Sequence, residues 1–361
     1  MTKLHELEEN GQSIWYDFIR RDMLTGSGLS DLVDAGVRGV TSNPSIFQNA
    51  IAGSDLYDDQ IAELGGQTPE AVFEELAITD IRAAADVLAG VFSDSGGRDG
   101  YVSLEVSPTL ANDTEGTIAD AHRLWDRVNR PNLMIKVPAT PAGVAAIERL
   151  TADGMNINAT LMFSLADYEA VAQAYLAGAR RCSDSTSLAS VASFFVSRVD
   201  SYTDAALEAV GTPEAEALKG KAAIANAKLA YQRYQQLFES SGFADLAALG
   251  TRPQRVLWAS TSTKDPSYRD VMYIEDLVGP NTVNTAPPAT IEAFEDHGTV
   301  TAGSLTSDVP KAQGDIDALA PIGVNFDVIT DQLQTDGVTA FADAYTSLLN
   351  AIAAKQADIA R

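Results

Sequence analysis

A (β/α)8 barrel, eight parallel strands each followed by helix, is the fold class this sequence predicts, and three observations carry it. Short apolar or alternating runs of strand length recur eight times along the chain. Alanine-rich stretches with apolar residues at helical spacing lie between them, so strand and helix alternate. The 361 residues suit one large barrel and contain no Pro/Gly/Ser-rich linker, so residues 1–361 are expected to form a single domain with additional helices. A doubly wound open sheet stays the alternative, because alternation alone does not separate closed from open.

In chain order, the strands are read at "SIWYDFI" (13–19), "VRGVTS" (37–42), "YVSLEVS" (101–107), "NLMIKVPA" (132–139), "INATLMF" (157–163), "LASVASFFV" (188–196), "RVLWAST" (255–261) and "NTVNTA" (281–286). "PEAVFEELAITDIRAAADVLAGVF" fills the second connection as helix, and the pair Gly96–Gly97 in "SDSGGRDG" reads as a turn ahead of the third strand. "TEGTIADAHRLWDRVN", with Thr114 as cap before Glu115, follows that strand, and "PAGVAAIERLTADG" follows the fourth. "LADYEAVAQAYLAGARR", capped by Ser164, follows the fifth, and residues 200–250 form an enlarged helical connection after the sixth. The eighth strand leads to "TIEAFEDHG", and "GVTAFADAYTSLLNAIAAKQ" closes the chain as helix.

Composition narrows the function. Net charge is −25, from 25 basic and 50 acidic residues, which opposes binding to nucleic acid or anionic membranes. An anionic substrate therefore needs a local cationic pocket. Cys182 is the single cysteine, so an intrachain disulfide is impossible, and His5, His122 and His297 are far apart and make no zinc pattern. Neither a phosphate-binding GxxxxGK[ST] loop nor a dinucleotide fingerprint is present. No cofactor or metal is expected. The start "MTKLHELEENGQSIWYD" lacks the apolar run of a signal peptide and no segment is apolar enough to span a membrane, so a cytoplasmic location is expected.

The chemistry is carried by strand parity. Alternate residues of a barrel strand point inward and the others face the helices. In the fourth strand Leu133, Ile135 and Val137 oppose Met134, Lys136 and Pro138, so Lys136 points inward. In the third, Val102, Leu104 and Val106 oppose Ser103, Glu105 and Ser107; in the fifth, Ile157, Ala159, Leu161 and Phe163 oppose Asn158, Thr160 and Met162. The first sets Ile14, Tyr16 and Phe18 against Trp15, Asp17 and Ile19. Four strands thus aim Asp17, Glu105, Lys136, Asn158 and Thr160 at one interior. A structural Lys–Glu salt bridge in a packed interior is the alternative, but buried ionic clusters add little net stability and are a poor means to that end. A buried lysine can react as a neutral amine with a carbonyl to form a Schiff base. Glu105 then suits the proton transfers of carbinolamine formation and dehydration, Asp17 suits a base at a sugar hydroxyl, and Thr160 suits a holder of the relay water. The iminium is the electron sink, so no metal is required. Pro138 either shapes the strand's exit toward the catalytic face or simply ends the strand.

The strings "GVTSNPSIF", "VSLEVSPTL", "MIKVPAT", "INATLMFS" and "ASFFVSRVD" resemble, in order, the consecutive motifs of the transaldolase family. The resemblance spans roughly the first 200 residues, with weaker matches in the later strands, and the long segments 200–250 and 300–330 are similar to a longer bacterial form. It implies a single-domain TIM barrel with the Schiff-base lysine on strand four. The activity implied is transfer of a dihydroxyacetone unit from sedoheptulose 7-phosphate to glyceraldehyde 3-phosphate, giving erythrose 4-phosphate and fructose 6-phosphate in the pentose phosphate pathway. By position it makes Lys136 the imine-forming residue, Glu105 the acid/base, Asp17 the base at the sugar hydroxyl and Thr160 the holder of the catalytic water.

The resemblance also assigns Asn43, Asn158 and Ser193 to hydrogen bonds with the sugar and Arg198 to its phosphate. Asn43 in "TSNPS" equally suits a turn, Ser193 equally suits packing, and Arg198 has the alternative of an ion pair with Asp200 or Asp204. One departure stands out. Where many family members carry a second phosphate arginine, in a "GASFRN"-like stretch, this chain reads "WASTSTKDPSYRD", which puts Lys264 nearest, with Ser260 close and Arg269 further on. Lys264 is therefore the expected second phosphate residue, as a point charge without the bidentate fork. A Schiff-base aldolase that releases free dihydroxyacetone and a non-catalytic sugar-phosphate-binding barrel are the rival readings.

Overall fold

All eight expected strands are present and close on themselves. The computed structural model describes residues 2–360, and the end residues 1 and 361 of the expected domain span lie outside the described residues. The strands are β1 (Gln12–Tyr16), β2 (Val37–Val40), β3 (Tyr101–Glu105), β4 (Leu133–Pro138), β5 (Ile157–Met162), β6 (Ser190–Phe195), β7 (Arg255–Ala259) and β8 (Thr282–Ala286). They form a closed barrel in sequence order. Parallel pairing of β1 with β8, from Gln12 opposite Thr282 to Tyr16 opposite Ala286, makes the closure and rules out the open sheet.

Most strands are shorter than expected at their C-terminal ends, where the chain turns into the loops that build a barrel's working face. Asp17 lies just past β1, yet its N–H still donates to the Ala286 carbonyl (2.9 Å), which holds its side chain in the strand's inward sense. The expected alternation of β5 holds to Thr160. It breaks at Leu161, whose φ of 60° is left-handed, and the β5–β6 register shifts between Ala159 and Met162.

The helices start where short polar side chains meet free backbone N–H groups. Ser164 and Asp167 form a reciprocal capping box on the helix Leu165–Arg181. The cap after β3 is one residue earlier than expected: Asp113 accepts from Gly116 N–H, while the Thr114 hydroxyl donates to the Ala142 carbonyl (2.9 Å). The enlarged connection after β6 comprises the helices Ser197–Val210, Pro213–Glu216, Ala222–Phe238 and Ala244–Leu249. The final helix, Phe326–Ile359, runs for 34 residues, well beyond the stretch expected from its pattern. No helix among the described residues is long and apolar enough to cross a membrane.

The floor of the barrel is ionic. Arg255 on β7 pairs with Asp99 (3.0 Å), which also accepts from Ser13 Oγ (2.8 Å) and Trp15 Nε1 (3.0 Å). Gly39 on β2 makes room for the Trp15 ring, which a Cβ there would approach to 2.6 Å. Burial alone would raise the Asp99 carboxyl, but the Arg255 charge and the Trp15 and Ser13 hydrogen bonds outweigh it and hold it below the usual range. This plug fixes the lower layer and leaves the upper layer for chemistry.

Candidate active site

Register brings the inward residues of the upper layer together. Glu105 lies opposite Lys136 across β3–β4, and Lys136 lies opposite Asn158 across β4–β5. Lys136 Nζ stands 3.7 Å from Glu105 Oε2, with side chains only 6% and 5% exposed, and donates to the Ser42 carbonyl (3.1 Å). Glu105 Oε2 is buried and accepts no hydrogen bond. Burial pushes the Glu105 carboxyl up to about 7, with the Lys136 charge pulling the other way. A carboxyl poised there can both give and take a proton near neutrality.

Asp17 approaches from the other side of the barrel. Its Oδ1 accepts from Thr41 Oγ1 (2.6 Å), and Thr41 in turn lies 2.6 Å from Thr285 Oγ1, so Thr285 supplies the proton of that second bond. Burial raises the Asp17 carboxyl, countered by the charge of Lys136, the Thr41 bond and the charge of Lys264. Thr160 Oγ1 is buried without a partner. Two unpartnered buried oxygens on the strands that flank β4 mark a place for a polar guest, because such atoms cost about 1–3 kcal/mol when nothing satisfies them.

Asn158 is held by a row across three strands: its Nδ2 donates to Ser103 Oγ (2.9 Å) and its Oδ1 accepts from Ser193 Oγ (2.6 Å). An amide has two N–H donors and a hydroxyl two lone pairs, so Asn158 and Ser193 keep capacity for a ligand after bonding each other. Asn43 realises its turn reading, since its side-chain oxygen caps the helix Pro44–Ala52 by accepting from Ile46 N–H (3.0 Å). It also lines, with Ser42 and Glu105, a cavity of about 390 Å³.

The cations gather at the rim. Arg198 is the second residue of Ser197–Val210, with its guanidinium 5.9 Å from the Phe195 ring centroid. The alternative ion pairs are not formed: Asp200 accepts from Tyr273 Oη (2.7 Å) and Ala223 N–H (2.7 Å), and Asp204 from Tyr268 Oη (2.7 Å) and Gly220 N–H (2.9 Å). Lys264 follows β7, and its Nζ donates to Ser262 Oγ (2.8 Å). Partial desolvation and the nearby Arg198 charge hold the Lys264 ammonium below its usual range, while Asp17 pulls it up. Two cations that repel each other are a ready site for an anion. Ser260 is tied to Ser197 Oγ (2.9 Å), and Arg269 is spent on Glu275 and on the His297 carbonyl (2.8 Å), which leaves Lys264 as the second cation.

Sequence reasoning missed three contributors. Thr41 and Ser42, inside the quoted "GVTSNPSIF", contact Asp17 and Lys136 as described above and were detectable as the polar residues just past β2. Phe341 of the final helix places its ring centroid 5.5 Å from Lys136 Nζ, and nothing in an amphipathic helical pattern signals that contact.

Comparison with known proteins finds relatives along nearly the whole chain. The family model described as Transaldolase/Fructose-6-phosphate aldolase matches residues 14–352. A protein named Transaldolase from Frankia alni is 50% identical over 358 residues, covering 97% of this chain and 96% of the relative. Another so named from Thiobacillus denitrificans is 48% identical over 356 residues, covering 97% and 99%. Transaldolase 1 of Streptomyces avermitilis is 46% identical over 360 residues, covering 98% and 95%.

Proposed function

The chain belongs to the transaldolase/fructose-6-phosphate aldolase family, and from that premise we propose that it is a transaldolase working through a Schiff base on Lys136. The observation that carries the residue assignment is the buried Lys136 beside an unpartnered Glu105 oxygen. Lys136 attacks the carbonyl carbon of a ketose phosphate. Glu105, through a water held at Thr160, protonates the carbinolamine oxygen, which leaves as water and gives the iminium. Asp17 takes the proton of the hydroxyl beside the breaking carbon–carbon bond. The aldose departs, and the dihydroxyacetone unit stays on Lys136 as an enamine. The enamine carbon then attacks the acceptor's aldehyde carbon, the new hydroxyl recovers a proton from Asp17, and hydrolysis frees the product ketose.

Asn43, Asn158 and Ser193 hold the sugar hydroxyls, and Arg198 with Lys264 holds the phosphate that the chain's net charge of −25 would otherwise repel. The substrates are sedoheptulose 7-phosphate and glyceraldehyde 3-phosphate, exchanged for erythrose 4-phosphate and fructose 6-phosphate. No metal or cofactor enters, since the iminium accepts the electron pair. Cytoplasmic sugar-phosphate metabolism is the setting this implies. Transfer is preferred to free aldol cleavage because the curated relatives at 44–50% identity are named Transaldolase. The test is formation of fructose 6-phosphate from the two substrates by the purified chain and by Lys136→Ala. Turnover by the natural chain and none by the variant are expected; equal turnover by both would overturn the assignment of Lys136.

A further inference from the structure

The helix Phe326–Ile359 enters no step of this chemistry, yet it lies on the strands that carry it. Gln334 Nε2 donates to the carbonyls of Ala139 (3.2 Å) and Leu161 (3.3 Å), the residues immediately after Pro138 and Thr160. One turn further, Gly337 sits so close to Leu161 that a Cβ would come within 3.0 Å of its Cδ2. The next turn brings Phe341, 5% exposed, over Lys136 Nζ. The far end of the helix is clamped: Lys355 Nζ donates to the Ser54 carbonyl (2.8 Å) and Asp58 Oδ1 (2.6 Å). Residues 334, 337 and 341 follow the three- and four-residue spacing of one helical face, so the ring is held in place by its own helix.

We propose that Phe341 determines whether the enamine on Lys136 is transferred to an acceptor or released as free dihydroxyacetone. The proposal rests on the Schiff-base reading above. Release and transfer differ only at the enamine carbon. In transfer that carbon bonds the acceptor's aldehyde carbon, whose oxygen takes up a proton. In release it bonds a proton delivered from water. Both routes then end alike: one water adds to the carbon of the C=N bond, the C–N bond breaks, and Lys136 leaves as the amine. The apolar ring beside Nζ occupies space from which a solvent water would deliver that competing proton, while Glu105 and Thr160 keep their own water for the steps both routes share.

The test measures dihydroxyacetone released from fructose 6-phosphate against the unit transferred to an aldose phosphate acceptor. Phe341→Ala is expected to raise the release-to-transfer ratio by about tenfold, equivalent to about 1.4 kcal/mol between the two barriers. In D2O the released dihydroxyacetone should carry one solvent deuteron. A purely structural role for the ring would slow both routes together and leave the ratio unchanged, and that result overturns the proposal. Should Phe341→Ala fail to fold, Phe341→Val decides it: a rise of about threefold or more supports the proposal and an unchanged ratio refutes it. The underlying reading is checked separately by borohydride trapping in the natural chain. No adduct on Lys136 would remove the Schiff base itself, whereas an adduct with an unchanged ratio removes only the role of Phe341.

Discussion

Replacing Glu105 by Gln tests, in one variant, both the electrostatics and the chemistry of the site. The substitution keeps the shape of the side chain and removes its titration. In the folded chain the carboxyl stands at about 7 instead of its ordinary 4.5, chiefly because of burial. The folded protein therefore holds this proton in a window where the unfolded chain has lost it, and stability falls as pH rises through that window. A shift from 4.5 to about 7 corresponds to about 3 kcal/mol at 1.36 kcal/mol per unit, most of it expressed between pH 5 and 8. Urea denaturation at a series of pH values should thus show Glu105→Gln gaining stability relative to the natural chain toward alkaline pH. Activity should move the opposite way, with kcat down by about 10²–10⁴-fold, the usual worth of a general acid/base. Parallel stability curves for the two proteins across this range would refute the electrostatic reasoning. Retained activity with an unchanged pH profile would refute the role in proton transfer.

Thr160→Val removes a buried hydroxyl that has no partner, so thermal stability should hold or rise while kcat falls by about 10–100-fold. Loss of stability without loss of kcat, by melting and steady-state kinetics, would contradict its assignment to the catalytic water. Lys264→Met should raise KM for phosphorylated donors by about tenfold and leave kcat less affected, and Lys264→Arg should lower KM by supplying a fork; an unchanged KM in both would remove Lys264 from the phosphate site. Asp99→Asn should cost about 3–5 kcal/mol in chemical denaturation, because it leaves Arg255 buried without its counter-charge, while the folded fraction keeps its KM. A neutral effect on stability would mean that the barrel floor does not depend on this pair.

The barrel and its inward set were legible because both follow from periodicity. Lys136, Glu105 and Asn158 alternate with apolar residues on strands β3 to β5, and the period of two is enough to send them to one side. The same rule failed at Leu161, where a left-handed backbone breaks the alternation of β5. It could not reveal the Arg255–Asp99 pair, whose partners are 156 residues apart and come from β7 and the loop ahead of β3. Phe341 was illegible for a related reason: a helical stripe shows that a face is buried but not against which strand. For Arg198 the sequence left open whether it would pair with Asp200 or Asp204, and the two tyrosines that occupy those carboxylates, Tyr273 and Tyr268, settle the matter at long range.

Every step assigned above passes through a covalent bond between Lys136 and the ketose. The measurement that tests it most directly is sodium borohydride reduction of the protein in the presence of fructose 6-phosphate, followed by peptide mass mapping of the natural chain and of Lys136→Ala. A reduced three-carbon adduct on Lys136, absent from the variant, is the expected result. An adduct on another lysine, or none while the sugar phosphate still binds, would contradict the Schiff-base mechanism and leave a barrel that binds its ligand without reacting.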